Sequence, residues 1–343
     1  MYPGWTYGFN IALAALTIMI GIGGIVLGLG YATNNRKLKE FGFDELNQSV
    51  INGLLIGGML ALFLPSGAIT SLINSITLSN ATVQCPQYLS SNSAICFAEG
   101  YLTGNGYTLN GVFHPSILSQ STTLIVGLLS LNTVLGLLAS LDINLLAVSF
   151  SLSQAIAPII SQVQLLIKTL TTISISVLVQ SSILSAIAAS ATTVILPAGI
   201  ILRTFYPTRK MGGFLIGSSI GLYVVFPLTY LMNASIVADY SSNLSNSTMT
   251  TLSNSASGLN SYMTGALSVK SPNNSLLSGV EGYLSSISGQ VSQFMTSMIN
   301  YVSYFIIAAF ILPAFSLAVT FVSIREFSEL LGSEINFNIF NLV

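Results

Sequence analysis

Charge is what this sequence has least of. Its 343 residues include nine Lys and Arg, ten Asp and Glu and a single His, so charged side chains make up 6% of the chain. A soluble domain carries about a quarter, and the mean hydropathy of +0.79 points the same way: the solvent is lipid. The near-zero net charge of −1 excludes a long-range field that would steer nucleic acid or anionic substrates over the surface. One histidine, His114, leaves no pair for a metal site. Two cysteines, Cys85 and Cys96, are too few for a disulfide framework but can form one bridge in an oxidising compartment. No glycine-rich phosphate loop and no intramembrane carboxylate pair can be found, so neither an enzyme nor a proton- or sodium-coupled transporter is expected. No catalytic residue, cofactor or metal is assigned.

What the chain does have is long apolar runs. A helix needs about 20 apolar residues to cross the hydrocarbon core. The runs predict about seven spans, at 10–31, 50–73, 121–141, 143–167, 169–202, 212–232 and 301–324. The middle three form one apolar stretch broken only by Asp142 and Lys168. The first thirty residues read as a retained span, because no basic segment precedes them. The fold class is therefore all-α, a single multi-pass helix bundle of the cell membrane covering 1–343.

Orientation follows from the cations. With the N-terminus outside and the C-terminus inside, Arg36, Lys37, Lys39, Arg203, Arg209, Lys210 and Arg325 face the cytoplasm, leaving only Lys168 and Lys270 outside. The Asn-x-Ser/Thr triplets at Asn80, Asn233, Asn243, Asn246 and Asn273 all fall in external loops, with Asn47 alone inside.

Two external segments stand out. Residues 74–120 hold both cysteines among Gly and Asn turn signals, which predicts a disulfide-pinned loop. Residues 233–300 are rich in Ser, Asn and Thr. Yet Leu276, Val280, Leu284, Ile287, Val291, Phe294 and Met298 recur at helical spacing. Ser271-Pro272-Asn273-Asn274 is a turn signal, so a helical hairpin extending the last two spans outward is predicted.

Within the spans, small residues form stripes: Gly24 and Gly28, Gly53 and Gly57, then Gly213, Gly217 and Gly221. Such stripes let helix backbones touch, within the chain or between copies in a homo-oligomer. Residues 149–193 are dense in Ser, Thr and Gln, which serve either as interhelical glue or as the wall of a wet passage. Pro158, Pro197, Pro227 and Pro313 lie inside predicted spans and bend their helices, as static kinks or as hinges.

The most specific sequence lies on the predicted inner face. A turn carries Arg203, Pro207, Arg209, Lys210, Gly212 and Gly213, and the last span ends in Arg325, Glu326, Glu329 and Gly332. At these residues the chain resembles the CedA-like family of archaeal polytopic membrane proteins, which belongs to the crenarchaeal DNA-import system. The resemblance covers roughly the C-terminal half. It implies a non-enzymatic subunit forming a channel or platform for DNA import, akin to the membrane subunit of conjugative type IV secretion machines. It also implies small pilin-like membrane subunits and a cytoplasmic secretion-type ATPase as partners, with DNA as the transported substrate and membrane lipid as the surroundings. A small-solute transporter or channel, and a cell-surface adhesion or receptor protein, are the competing readings. The tail, 325–343, ends in an alternating stretch, Ile335-Asn-Phe337-Asn-Ile339, that fits either strand addition to a partner or a frayed terminus.

Overall fold

The computed structural model describes residues 3–63, 82–83, 94–109, 111–140, 142–145, 148–204, 208–238, 296 and 298–332. Cys85, Pro207, most of the predicted 233–300 hairpin and the tail from 333 lie outside the described residues. The chain is predominantly helical. Among the described residues five helices are long and apolar enough to cross a membrane: Leu13–Ala32, Ile117–Leu137, Ile156–Arg203, Arg209–Ala238 and Met298–Leu330.

The first two helices, α1 (Pro3–Ala32) and α2 (Arg36–Phe63), form an antiparallel hairpin. Asn34 takes the left-handed conformation at its turn, with φ 48°, which Asn tolerates better than most residues. Asn35 Oδ1 accepts the backbone N–H of Lys37 at 3.1 Å and so satisfies one of the open donors at the start of α2. The two backbones touch where side chains vanish. A Cβ on Gly42 would lie 2.7 Å from the Leu27 nitrogen, and one on Gly30 would lie 2.8 Å from the Lys39 nitrogen. The first half of α2 carries Arg36, Lys37, Lys39, Glu40, Asp44 and Glu45, which keeps it off the roster of apolar spans.

A short three-stranded sheet follows, in the order β1 (Thr82–Val83), β2 (Tyr107–Leu109), β3 (Val112–His114). Beside it lies α3 (Ala94–Leu102), every residue of which is buried. Tyr107 is buried against Phe97 and Tyr101 and donates its hydroxyl to the Ala234 carbonyl at 3.3 Å. Burial pushes its phenol well above the ordinary range.

After α4 (Ile117–Ala139) the chain makes a β-hairpin, β4 (Asp142–Leu145) with β5 (Val148–Ser151), pairing Asp142 with Ser151 and Leu145 with Val148. The predicted span over 143–167 therefore starts later. The predicted break at Lys168 is absent: α5 (Leu152–Ser190) runs through it and continues, by a π-helical turn at Ala191–Ile195, into α6 (Leu196–Thr204). A lone Lys has good helix propensity and breaks nothing; the apolar run was divided at a charge where no Gly or Pro supports a turn.

The remaining helices among the described residues are α7 (Arg209–Ile220), a π-helical turn at Gly221–Val225, α8 (226–238), α9 (298–306), a π-helical turn at Ile307–Ile311 and α10 (Leu312–Leu330). Each of the three π-helical turns ends two residues before a proline: Pro197, Pro227 and Pro313. The coincidence has a steric cause. Proline lacks an N–H and its ring collides with the carbonyl four residues back, and widening that turn relieves the collision. Leu196, Phe226 and Leu312 donate instead to the carbonyls five residues earlier, on Ala191, Gly221 and Ile307. Ser219 Oγ reaches across from α7 to give the Ala191 carbonyl a second donor at 2.7 Å, the kind of repair that keeps such turns tolerable in lipid.

The chain divides into two compact units. One comprises 1–113, 179–235 and 313–343, and is held by the α1–α2 hairpin, the α6–α7 hairpin and contacts of α1 with α6. Its polar side chains bond across helices: Asn233 Nδ2 donates to Ser316 Oγ at 2.8 Å and Tyr230 donates to Gln180 Oε1 at 3.2 Å. The other unit comprises 114–178 and 236–312. There Ser121 and Ser174 share a buried hydroxyl–hydroxyl bond of 2.9 Å, and Tyr304 packs edge to face against Tyr301 and Phe305.

Candidate functional site: the basic turn between two membrane-length helices

The turn between α6 and α7 joins two helices whose apolar stretches end at Arg203 and restart at Arg209. Glycine determines how closely they meet. A Cβ on Gly212 would collide with the Arg203 backbone nitrogen and lie 2.7 Å from the Gly199 carbonyl oxygen; one on Gly199 would lie 2.9 Å from Ile216 Cγ1. Next to this backbone contact, Leu196, Ile200 and Ile216 form a buried cluster, with Leu16, Ile220 and Leu331 packed against it. The Thr208 hydroxyl, which could have capped α7, instead donates to the Leu202 carbonyl at 2.7 Å and ties the turn to the end of α6.

Three charged groups gather here. Arg209 Nη2 donates to Glu45 Oε2 at 3.2 Å, with the Glu45 side chain only 10% and the Arg209 side chain 24% exposed. Arg203 is 7% exposed, and its Nε and Nη1 have no hydrogen-bond partner. Burial removes it from solvent, and the Arg209 cation acts on it as well. Among the described residues, two guanidinium groups and the Glu45 carboxylate thus stand together where an apolar helix ends.

The two sequence motifs of the predicted inner face come together. A Cβ on Gly217 would lie 3.0 Å from the Ser328 backbone nitrogen, and one on Gly221 would press into Ile324, so the end of α10 lies directly on α7. Gly213 is buried on α7, whereas Arg325 faces outward and pairs with Glu329 at 3.0 Å. Glu326 is exposed, and Gly332 ends the helix with φ 79°. Lys210 lies in the first turn of α7, half-buried Thr208 before it.

The other glycine stripes differ from this one. Among the described residues nothing lies within 4 Å of a Cβ placed on Gly24, Gly28 or Gly57, and Gly53 makes an ordinary 3.6 Å contact with Leu16. The α1–α2 approach runs through Gly30 and Gly42, and the α6–α7 approach through Gly199 and Gly212. None of those pairs has a four-residue spacing within one helix, which is the pattern the eye seeks. Glu45 also went unremarked: in the sequence it is one of several acids on α2, and only the fold brings it to Arg209. Cys96 is buried in α3, and among the described residues no three His, Cys, Asp or Glu side chains gather as a metal site would require.

No family model matches the chain, and no curated protein or solved structure is similar to it.

Proposed function

We propose that the protein is a non-enzymatic, multi-pass membrane subunit serving as a platform in a DNA-translocation machine of the conjugation-related type. The observation that carries the platform reading is the way its polar side chains are spent. Asn233 with Ser316, Tyr230 with Gln180, and Ser219 with the Ala191 carbonyl bond to one another across helices. Groups so engaged act as glue and do not line an open wet wall, which favours a scaffold over a pore within one copy. The assignment to DNA rests on the sequence resemblance at residues 203–213 and 325–332 alone. Pilin-like subunits and a secretion-type ATPase are its expected partners. Disrupting the gene and measuring DNA uptake between cells tests the assignment: loss of uptake supports it, and normal exchange refutes it.

In this reading the chain crosses five times in place of seven: α2, continued by the apolar residues after Phe63, crosses although its charged first half does not, and α4 does not cross although it is long and apolar enough to do so. The 48 residues of Ile156–Arg203 would extend about 72 Å as a straight helix, more than twice the roughly 30 Å hydrocarbon core. With Arg203 at the inner surface, about 20 residues suffice to reach the outer one, so Lys168 and the start of α5 stand outside. If 74–120 is external, α4 then begins and ends on that same side and does not cross. The N-terminus stays outside and the C-terminus inside, as the cations require. A disulfide between Cys85 and Cys96 is part of the external loop in this reading; Cys96 is buried, and no cysteine among the described residues is free.

A small-solute transporter is the second reading, favoured by three π-helical turns before prolines in apolar helices. Solute uptake by reconstituted vesicles, with DNA exchange intact in the disrupted strain, would select it.

A further inference from the structure

The turn end of the α1–α2 hairpin holds a cavity that the function above leaves unused. It measures about 400 Å³, within the range of small-ligand sites, and is lined by Leu27, Tyr31, Lys39, Glu40, Phe43 and Asp44. Its level follows from a contact already described. Glu45, the next residue of α2, bonds Arg209 at 3.2 Å, and the apolar stretch of α7 starts at Arg209. The cavity lies on the turn side of that contact, beside Arg36, Lys37, Lys39, Glu40 and Asp44, where such a density of charge excludes acyl chains and headgroups begin.

Helix geometry decides which of these charges are spent. Glu40 Oε1 accepts from Arg36 Nε at 2.8 Å, one turn back, and the two neutralise each other. Lys39 and Asp44 remain. They are five residues apart on α2, which is not the spacing of side-chain neighbours on a helix, and among the described residues no ion pair joins them. The Lys39 ammonium turns instead to the hairpin turn, donating to Asn34 Oδ1 at 2.9 Å and lying 4.9 Å from the centre of the Tyr31 ring. Its stem is held on the way, since a Cβ on Gly30 would lie 3.1 Å from Lys39 Cγ. An ammonium has three donors, so Lys39 keeps capacity for a further acceptor. Asp44 is exposed, and its carboxylate has no partner among the described residues. The cavity also offers two aromatic rings, with Tyr31 68% and Phe43 65% exposed.

A simple anion drawn to Lys39 would meet the repulsion of Asp44, and a simple cation drawn to Asp44 would meet that of Lys39. A ligand carrying both charges satisfies both groups. We propose that this cavity binds an aminoalkyl phosphate, its phosphate oxygens on Lys39 and its ammonium on Asp44, supplied by a phosphatidylethanolamine headgroup or by free phosphoethanolamine. Lysine meets phosphate as a compact point charge, and a carboxylate beside open aromatic faces suits an ammonium. The carbon chain between the two charges covers Tyr31 and Phe43, surface that the fold leaves open. The site stands on this geometry and not on the DNA reading.

The test uses the full chain in neutral detergent. Native mass spectrometry compares retention of phosphatidylethanolamine with that of phosphatidylglycerol, which keeps the phosphate and lacks the ammonium. A thermal melt is titrated with phosphoethanolamine and, separately, with inorganic phosphate. Phosphatidylethanolamine held about tenfold more tightly than phosphatidylglycerol, with that preference lost in Asp44→Asn and in Lys39→Gln, identifies a lipid headgroup. A rise in melting temperature with phosphoethanolamine alone, without a lipid preference and lost in both variants, identifies the free zwitterion. Lys37→Gln, which removes an exposed cation outside the cavity lining, leaves either response unchanged. Should Lys39→Gln fail to fold, Asp44→Asn decides alone, because it removes a carboxylate that bonds no described residue. Equal retention of the two lipids together with equal responses to the two phosphates overturns the proposal. So does a response that survives in Asp44→Asn, one that is lost in Lys37→Gln, or the lack of any response to either probe.

Discussion

Glycine 212 offers the sharpest test of the packing, because its effect can be worked out and given an opposite-signed control. Adding one methyl at Gly212 places a carbon against the Arg203 backbone nitrogen and 2.7 Å from both Arg203 Cα and the Gly199 oxygen. Carbon contacts settle at about 3.5–4.0 Å, so α6 and α7 must part by roughly 1 Å. Every atom met is backbone, and no side chain can swing aside. Overpacking of this kind costs about 1–3 kcal/mol, here toward the upper end. Alanine recovers up to about 1 kcal/mol through its better helix propensity, which leaves Gly212→Ala less stable by about 2 kcal/mol. Gly28→Ala has the same gain and no described neighbour within 4 Å, so it should be neutral or stabilised by about 0.5–1 kcal/mol. Both can be measured by reversible unfolding in micelles of rising dodecyl sulfate fraction. If the two variants shift in the same direction, or Gly212→Ala is as stable as wild type, the close approach is not real.

Other predictions concern charge, polar bonds and pH. Glu45→Gln removes the carboxylate that Arg209 bonds at 3.2 Å and should cost about 3 kcal/mol, while Arg209→Gln added to it should restore part of the loss; an additive double variant would contradict the ion pair. The Asn233→Ala and Ser316→Ala cycle should show a coupling of about 0.6–1.7 kcal/mol, the range of such bonds in membranes, and zero coupling would remove the bond from the account. Tyr107 keeps its proton in the fold where an unfolded tyrosine ionises near pH 10. Its contribution is therefore constant below about pH 10 and falls as pH rises above it. Melting temperatures at pH 9 and 11 should differ less for Tyr107→Phe than for wild type, and identical differences would refute this.

Much of the architecture was legible because lipid imposes a simple code. Long apolar runs with no charge become helices, and α1, the Arg209–Ala238 helix and the Met298–Leu330 helix follow their runs closely. The reading failed where a local cue was given more weight than helix continuity. Lys168 was treated as a boundary, although neither its propensity nor its neighbours end a helix. Asp142 does mark a change, but to the β4–β5 hairpin and not to a tight turn between spans. The prolines were read as generic kinks; their common π-helical turns follow from sterics that the sequence carries at fixed spacing. Close approaches between helices could not be read, because Gly42 with Leu27 and Gly199 with Gly212 depend on the register of two helices, and a one-helix motif search finds Gly24 and Gly28 instead. The isolated arginine depended on burial, which no linear pattern reports.

Sidedness is the claim on which most of the account depends, and impermeant labelling of single introduced cysteines measures it directly in intact cells, with the unsubstituted chain as the blank. Lys37→Cys, exposed at the α1–α2 turn, should react only after the membrane is permeabilised, whereas Asn273→Cys in the Ser-rich segment should react at once. Immediate labelling at position 37 with protection at position 273 would contradict the topology.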